Sequence, residues 1–230
     1  MNAPTCNILA LGLLLAASPV HAQQRDPSIA PRCIGSSAFS CRQTLHDKFM
    51  SYAIDTFGPR ALFVPLFPAS YFMAFPPDRY PRDWRKGLPA LGRNCADQFA
   101  AQVSLQTARF ATSAILHEDP RYHHSASKHP LLRAGHALAY SFVDKSDSGH
   151  GQIAWSNFVG AAASGYVGRL YLPAGFNDVS HADTNMAIRF GVLAGRNVAE
   201  EFAPELSRLT RKLHFKNIHL LPEWWTTLDR

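Results

Sequence analysis

Eleven histidines in a chain of 230 residues make metal binding or proton transfer the first chemistry to weigh. His117, His123, His124, His129, His136, His150 and His181 share one central stretch, and imidazole both ligates zinc and exchanges protons near neutral pH. A helical zinc pair needs histidines four residues apart with a carboxylate base beside them, and no His-Glu-x-x-His run is present. His117, followed by Glu118 and Asp119 at the end of a helical stretch, reads instead as a capping or solvated group. The spacing predicts no metal site and requires no cofactor.

The run Asp147-Ser148-Gly149-His150 holds a second kind of chemistry. It resembles the Ser-Gly-His element of the type 2 phosphatidic acid phosphatase superfamily, whose other elements supply Lys and Arg to hold phosphate and a His as nucleophile. Phosphoryl transfer needs such a cationic clamp around developing negative charge. The resemblance implies a phosphoester hydrolase in which His150 or His181 works beside Arg133 and Arg169. The remaining elements depart from the pattern. Where the superfamily has Lys, six residues, then Arg-Pro, Lys128 leads to Gly135, with Arg133 two positions early. Where its Arg precedes the nucleophilic His by six, Arg169 leads to Gly175, and His181 fits only after a change of register. Asp147 and Ser148 also have a simpler use, because residues just before an apolar helix can accept from its unpaired amide groups.

A third set consists of charges placed beside apolar helices: Asp119, Arg121, Arg133, Asp147 and Glu201. A buried charge persists only when it is paired and hydrogen-bonded. These five either form an internal ion network that clamps helix ends or line a polar pocket that binds an anionic group. Ion networks perturb structure as readily as they mark function, which favours the clamp.

The elements that position these groups are helical. Thr44 to Thr56 carries Leu45, Phe49, Tyr52 and Ala53 near helical spacing, and Gly58 with Pro59 ends it. Ala61 to Phe75 is apolar and broken by Pro65 and Pro68, so it is either a kinked buried helix or an envelope-facing hydrophobic segment, burial being favoured. Pro76 to Arg93 reads as a surface loop. Asp97 to His117 is the clearest helix by propensity, and Leu131 to Phe142 resumes after Pro130. A break at Lys145 to Gly149 precedes Gln152 to Leu172, which is long enough for a membrane span. Its Gly160 to Gly165 run of small residues better suits close helix contact inside protein. Asp183 or Thr184 caps a final helix from about Asn185 to Glu201. No alternating strand pattern persists for long. The fold expected is all-α, a compact single-domain bundle of about five to seven helices.

The first 22 residues read as a secretory signal peptide, with an apolar core from Ile8 to Ala17 and the small-residue pattern Val20, His21, Ala22 before a cut at Gln23. A polar arm over 23–43, a helical domain over 44–215 and a tail over 216–230 follow. About 208 residues suffice for one well-buried domain. The formal charge of +6 suits contact with anionic envelope surfaces and is also ordinary for a soluble basic protein. Its clusters, Arg79 to Lys86 and Arg208 to Lys216, accompany no nucleic-acid fold signature. In an oxidising compartment Cys33 and Cys41 are the favoured pair, which leaves Cys95 over.

Further short motifs run in order through Cys95 to Lys212: Asp119-Pro120-Arg121-Tyr122, Arg133-Ala134-Gly135, Asp147-Ser148-Gly149, Tyr171-Leu172-Pro173 and Glu201-Phe202-Ala203-Pro204. In these the chain resembles a family of uncharacterised exported bacterial helical proteins. The resemblance implies an exported protein of the periplasm or outer membrane and no particular activity. The aromatic segment Phe63 to Phe75 and the basic surface add an expectation of their own. They point to a non-enzymatic helical binding or structural protein that takes a lipid-like ligand or an envelope partner, with association at a membrane surface.

Overall fold

Thr44 starts the first helix by a reciprocal exchange with Asp47. Its hydroxyl accepts from the Asp47 N–H at 3.1 Å, and the Asp47 carboxylate accepts from the Thr44 N–H at 3.0 Å, a capping box that satisfies two otherwise unpaired amides. The resulting helix, α1 (Leu45–Phe57), ends where expected, at Gly58. The computed structural model describes residues 43–78 and 80–206. The expected signal peptide, nearly all of the expected polar arm, Cys33, Cys41, the second basic cluster and the tail lie outside the described residues.

Pro65 divides the apolar stretch after α1 into two short helices, α2 (Pro59–Phe63) and α3 (Leu66–Ala74). After a 3-10 turn (Arg82–Trp84) comes α4 (Leu88–Ile115), which begins nine residues before the expected start at Asp97. Pro89 had marked the region as loop, but in the first helical turn proline loses no hydrogen bond and its fixed φ favours the helix. Next is α5 (Pro130–Ala139), which ends three residues before the expected Phe142, and then α6 (Trp155–Tyr166), extended by a second 3-10 turn (Val167–Leu170). The last long helix, α7 (Val179–Glu201), starts six residues early because Asp178, not Asp183 or Thr184, accepts from the His181 N–H at 2.9 Å. No helix among the described residues is long and apolar enough to cross a membrane.

A small antiparallel sheet had left no trace in the sequence pattern. Its strands, β1 (Glu118–Asp119), β2 (Val143–Ser146) and β3 (Gly151–Ile153), lie in the order β1-β2-β3. Glu118 stands opposite Ser146, and Val143 opposite Ile153. Two to four residues are too few to display a period. The expected break at Lys145 to Gly149 is thus the end of β2 and its turn into β3.

These elements form a compact, mostly helical bundle, all-α in character, with seven α-helices among the described residues. α4 packs on α1, α3 and α6, and α7 covers α6 and α5. The small-residue run does what its composition predicts. A β-carbon at Gly160 would lie 2.4 Å from Arg109 Cγ, and one at Gly165 would lie 2.5 Å from the Met186 nitrogen, so α6 meets both neighbours almost backbone to backbone. Alanine dominates the apolar interior, at positions such as Ala90, Ala101, Ala154, Ala161 and Ala182.

Candidate functional site: a polar interior beneath an apolar surface

α4 runs out at Ile115, and His117 turns the chain with a φ of 53°. That turn delivers Glu118, fully buried, beneath the start of α6. Its carboxylate accepts from the Trp155 N–H at 3.1 Å and the Ser156 N–H at 2.9 Å. Ala154, the residue preceding α6, has no side-chain acceptor, so the free amides of this helix are met from a distant part of the chain. A carboxylate at this end also complements the helix dipole. Neither Asp147 nor Ser148 caps α6, contrary to the simpler use read from their position.

Asp147 is held elsewhere. Its carboxylate pairs with Lys48 of α1 at 2.9 Å, and the buried Lys48 ammonium also donates to the Ser113 carbonyl at 3.0 Å. This ties α1, α4 and the hairpin turn together. Asp119 accepts from Arg121 Nε at 2.7 Å and from the Arg121 N–H at 3.2 Å, and His123 Nε2 lies 3.6 Å away. Burial by itself would raise the Asp119 carboxyl, but the hydrogen bonds and charge of Arg121 overcome it and hold the group well below the usual carboxylate range. Asp144 differs. Burial pushes its carboxyl up to about 8, against the opposing pull of the Lys145 N–H and the Arg109 charge, so at neutral pH it is largely protonated.

A second cluster surrounds Glu201, buried at the end of α7. Its carboxylate accepts from Arg133 Nε at 2.7 Å, the Tyr122 hydroxyl at 2.8 Å and the Ser125 N–H at 3.0 Å. Burial raises this carboxyl, and these three donors outweigh it to leave the group below its ordinary value. Arg133 also donates to the Glu201 carbonyl and to Glu205, and its guanidinium lies 4.6 Å from the centre of the Phe202 ring. The two clusters touch through aromatic rings: Tyr140 packs on His123 at 6.0 Å and on Tyr122 at 5.4 Å between centroids.

The structure thus brings the five charges into two groups. Asp119 and Arg121, with Asp147 on Lys48, hold the sheet end; Arg133 and Glu201 hold the far end of α7. All five are engaged with other protein groups at the ends of elements. Tyr171 of the Tyr-Leu-Pro motif likewise fastens its turn by donating to Asp97 of α4 at 2.8 Å. The candidate phosphatase residues each have their own partners. Exposed His150 meets Ser148 Oγ at 3.0 Å, exposed His181 meets Asp178 at 2.7 Å, and Arg169 donates to the Asn177 carbonyl at 3.3 Å. No described hydrogen bond, ion pair or ring contact joins any two of His150, His181, Arg133 and Arg169.

Over this polar interior lies an apolar exterior. Phe63, Leu66, Phe67 and Phe75 of the α2–α3 segment are exposed, Phe67 by 58% and Phe75 by 68%. The favoured burial of Ala61 to Phe75 is therefore corrected: Ala61, Pro65 and Ala69 turn inward, while most of the large side chains face out. α1 exposes Leu45, Phe49, Ile54 and Phe57; α5 exposes Leu131, Leu132 and Leu138; Trp155 and Val159 of α6 are also exposed. The largest fully buried side chains are Glu118, Glu201 and Asn94. Globular interiors ordinarily collect the large apolar side chains and leave charges outside, and contiguous exposed apolar surface marks an interaction or membrane site.

Sequence reasoning passed over four groups of the polar interior: Lys48, Arg109, Glu118 and Asp144. Two of them had signals. Lys48 is a lone charge among the apolar positions of α1, and Glu118 precedes by a long interval a helix that has no local cap. Among the described residues, no cluster of three or more His, Cys, Asp or Glu side chains is placed to hold a metal ion. Comparison of the chain with protein-family models, curated proteins and solved structures finds no match.

Proposed function

We propose that the chain is an exported, non-enzymatic helical protein of the cell envelope, in the periplasm or at the outer membrane, whose apolar surface binds lipid. One observation carries this reading: large apolar side chains face outward around an interior of paired charges, an arrangement suited to a partner that removes those side chains from water. The signal-like first 22 residues and the ordered short motifs support the compartment. The phosphoester-hydrolase alternative has no comparable support, because its four candidate side chains are held by separate partners.

Thermal unfolding of the exported chain with and without lipid vesicles tests the reading. Lipid at about 100 times its dissociation constant stabilises by roughly 2.7 kcal/mol, a rise of roughly 5–10 °C for a domain of this size. No shift, together with no lipid recovered by mass spectrometry from the protein purified out of the envelope, would overturn it.

A further inference from the structure

We infer that the cleft between α3 and the start of α4 takes the headgroup of an anionic phospholipid in a bilayer surface, with α3 resting on its acyl chains. The inference rests on the lipid-binding reading above and specifies the lipid. Leu66 and Phe67 stand four and three residues before Ser70, Ala74 stands four after it, and all are exposed, so one face of α3 carries apolar side chains at its beginning and small residues at its end. Those small residues, Ser70 and Ala74, line an open cleft of about 440 Å³ together with Arg85 and Lys86. The apolar face and the cationic lining are therefore continuous.

Each part matches one part of a phospholipid. The cleft is open and not enclosed, which suits a headgroup at a bilayer surface more than a sequestered ligand. The Arg85 guanidinium is fixed at the wall by donating Nε–H to the Tyr80 carbonyl, and Lys86 is exposed. Arg82 and Arg93, also exposed, add positive charge nearby, against the single exposed carboxylate of Asp83 in the same turn. Basic side chains at an anionic leaflet each add about 1 kcal/mol of attraction, while Leu66 and Phe67 contribute burial that is indifferent to headgroup charge.

Sedimentation of the full exported chain with two kinds of vesicle tests this. One is phosphatidylcholine alone; the other contains phosphatidylglycerol in addition. Wild type is expected to bind the anionic vesicles about tenfold more tightly, with the advantage shrinking as salt is raised. Lys86→Glu should lose that advantage and keep the neutral-vesicle binding, and Phe67→Asp should lose both. Circular dichroism confirms that each variant is folded. Equal binding of wild type to both vesicles would overturn the headgroup assignment and leave lipid binding standing. Binding to neither would bring down both. Release by millimolar inorganic phosphate alone would make this a free-anion site instead of a lipid site. A discrete dimer that excludes vesicles would assign the face to a second copy of the chain.

Discussion

The sheet end of the bundle and its α2–α3 face are built on opposite rules. At the sheet end Glu118, Asp119, Lys48 and Asp147 are buried and matched to particular donors or acceptors. On the α2–α3 face Leu62, Phe63, Phe67 and Phe75 reach outward, while Ala61 and Ala69 fill the space beneath. Polar groups fill an interior at low cost where they find specific partners, whereas apolar groups need only a neighbour that is not water. The first region is thereby specified from within. The second turns its large apolar groups to the outside.

Substitutions should separate the two. Lys48→Met strips Asp147 of its buried partner and should cost roughly 3–5 kcal/mol in urea unfolding; a loss below about 1 kcal/mol would mean that the pair is not buried in solution. Glu118→Ala leaves two amides of α6 without acceptors, for roughly 3 kcal/mol, and Glu118→Gln should recover part of it. If alanine and glutamine behave alike, the carboxylate does not cap the helix.

Asp144 extends the comparison to pH. Its folded-state value, about 8, lies above the ordinary carboxyl value of 3.8, so between those limits the folded protein holds a proton that the unfolded chain releases. Its contribution to stability falls as pH rises through this window. Asp119, held below its ordinary value, acts in the reverse sense and loses its contribution only in acid. Wild type should lose on the order of 2 kcal/mol more than Asp144→Asn between pH 5 and pH 8. Parallel profiles would show that Asp144 titrates as an exposed carboxyl does. The smallest effect belongs to the other region: Phe67→Ser should change unfolding by no more than about 0.5 kcal/mol while weakening vesicle binding. Severe destabilisation there would place Phe67 in the core.

The helices were legible because their caps and punctuation are local. Gly58 after α1 and the run of small residues in α6 act as their chemistry dictates. Where the reading went astray, the deciding interaction was distant or a single residue had two meanings. Pro89 serves a helix start as well as a loop, and the acceptor for α6 stands 37 residues before Trp155. The sequence places the five charges beside apolar helices, but Lys48, which Asp147 depends on, is 99 residues away in sequence. Periodicity marks which side of a helix is apolar; it does not say whether that side faces inward. That is why the pattern of Ala61 to Phe75 favours burial while Phe67 is exposed.

The close passage of α6 between α4 and α7 has a mechanical consequence. At Gly160 a β-carbon would strike Arg109 Cγ and the Leu105 carbonyl of α4, and at Gly165 the Ala182 and Met186 backbone of α7, so α6 is held close against both neighbours. The three helices should open as one cooperative unit, with the amide hydrogens of Gly160 to Gly165 among the slowest to exchange. On the lipid-binding proposal, adjustment of the outer face falls to α1 to α3, around this central trio.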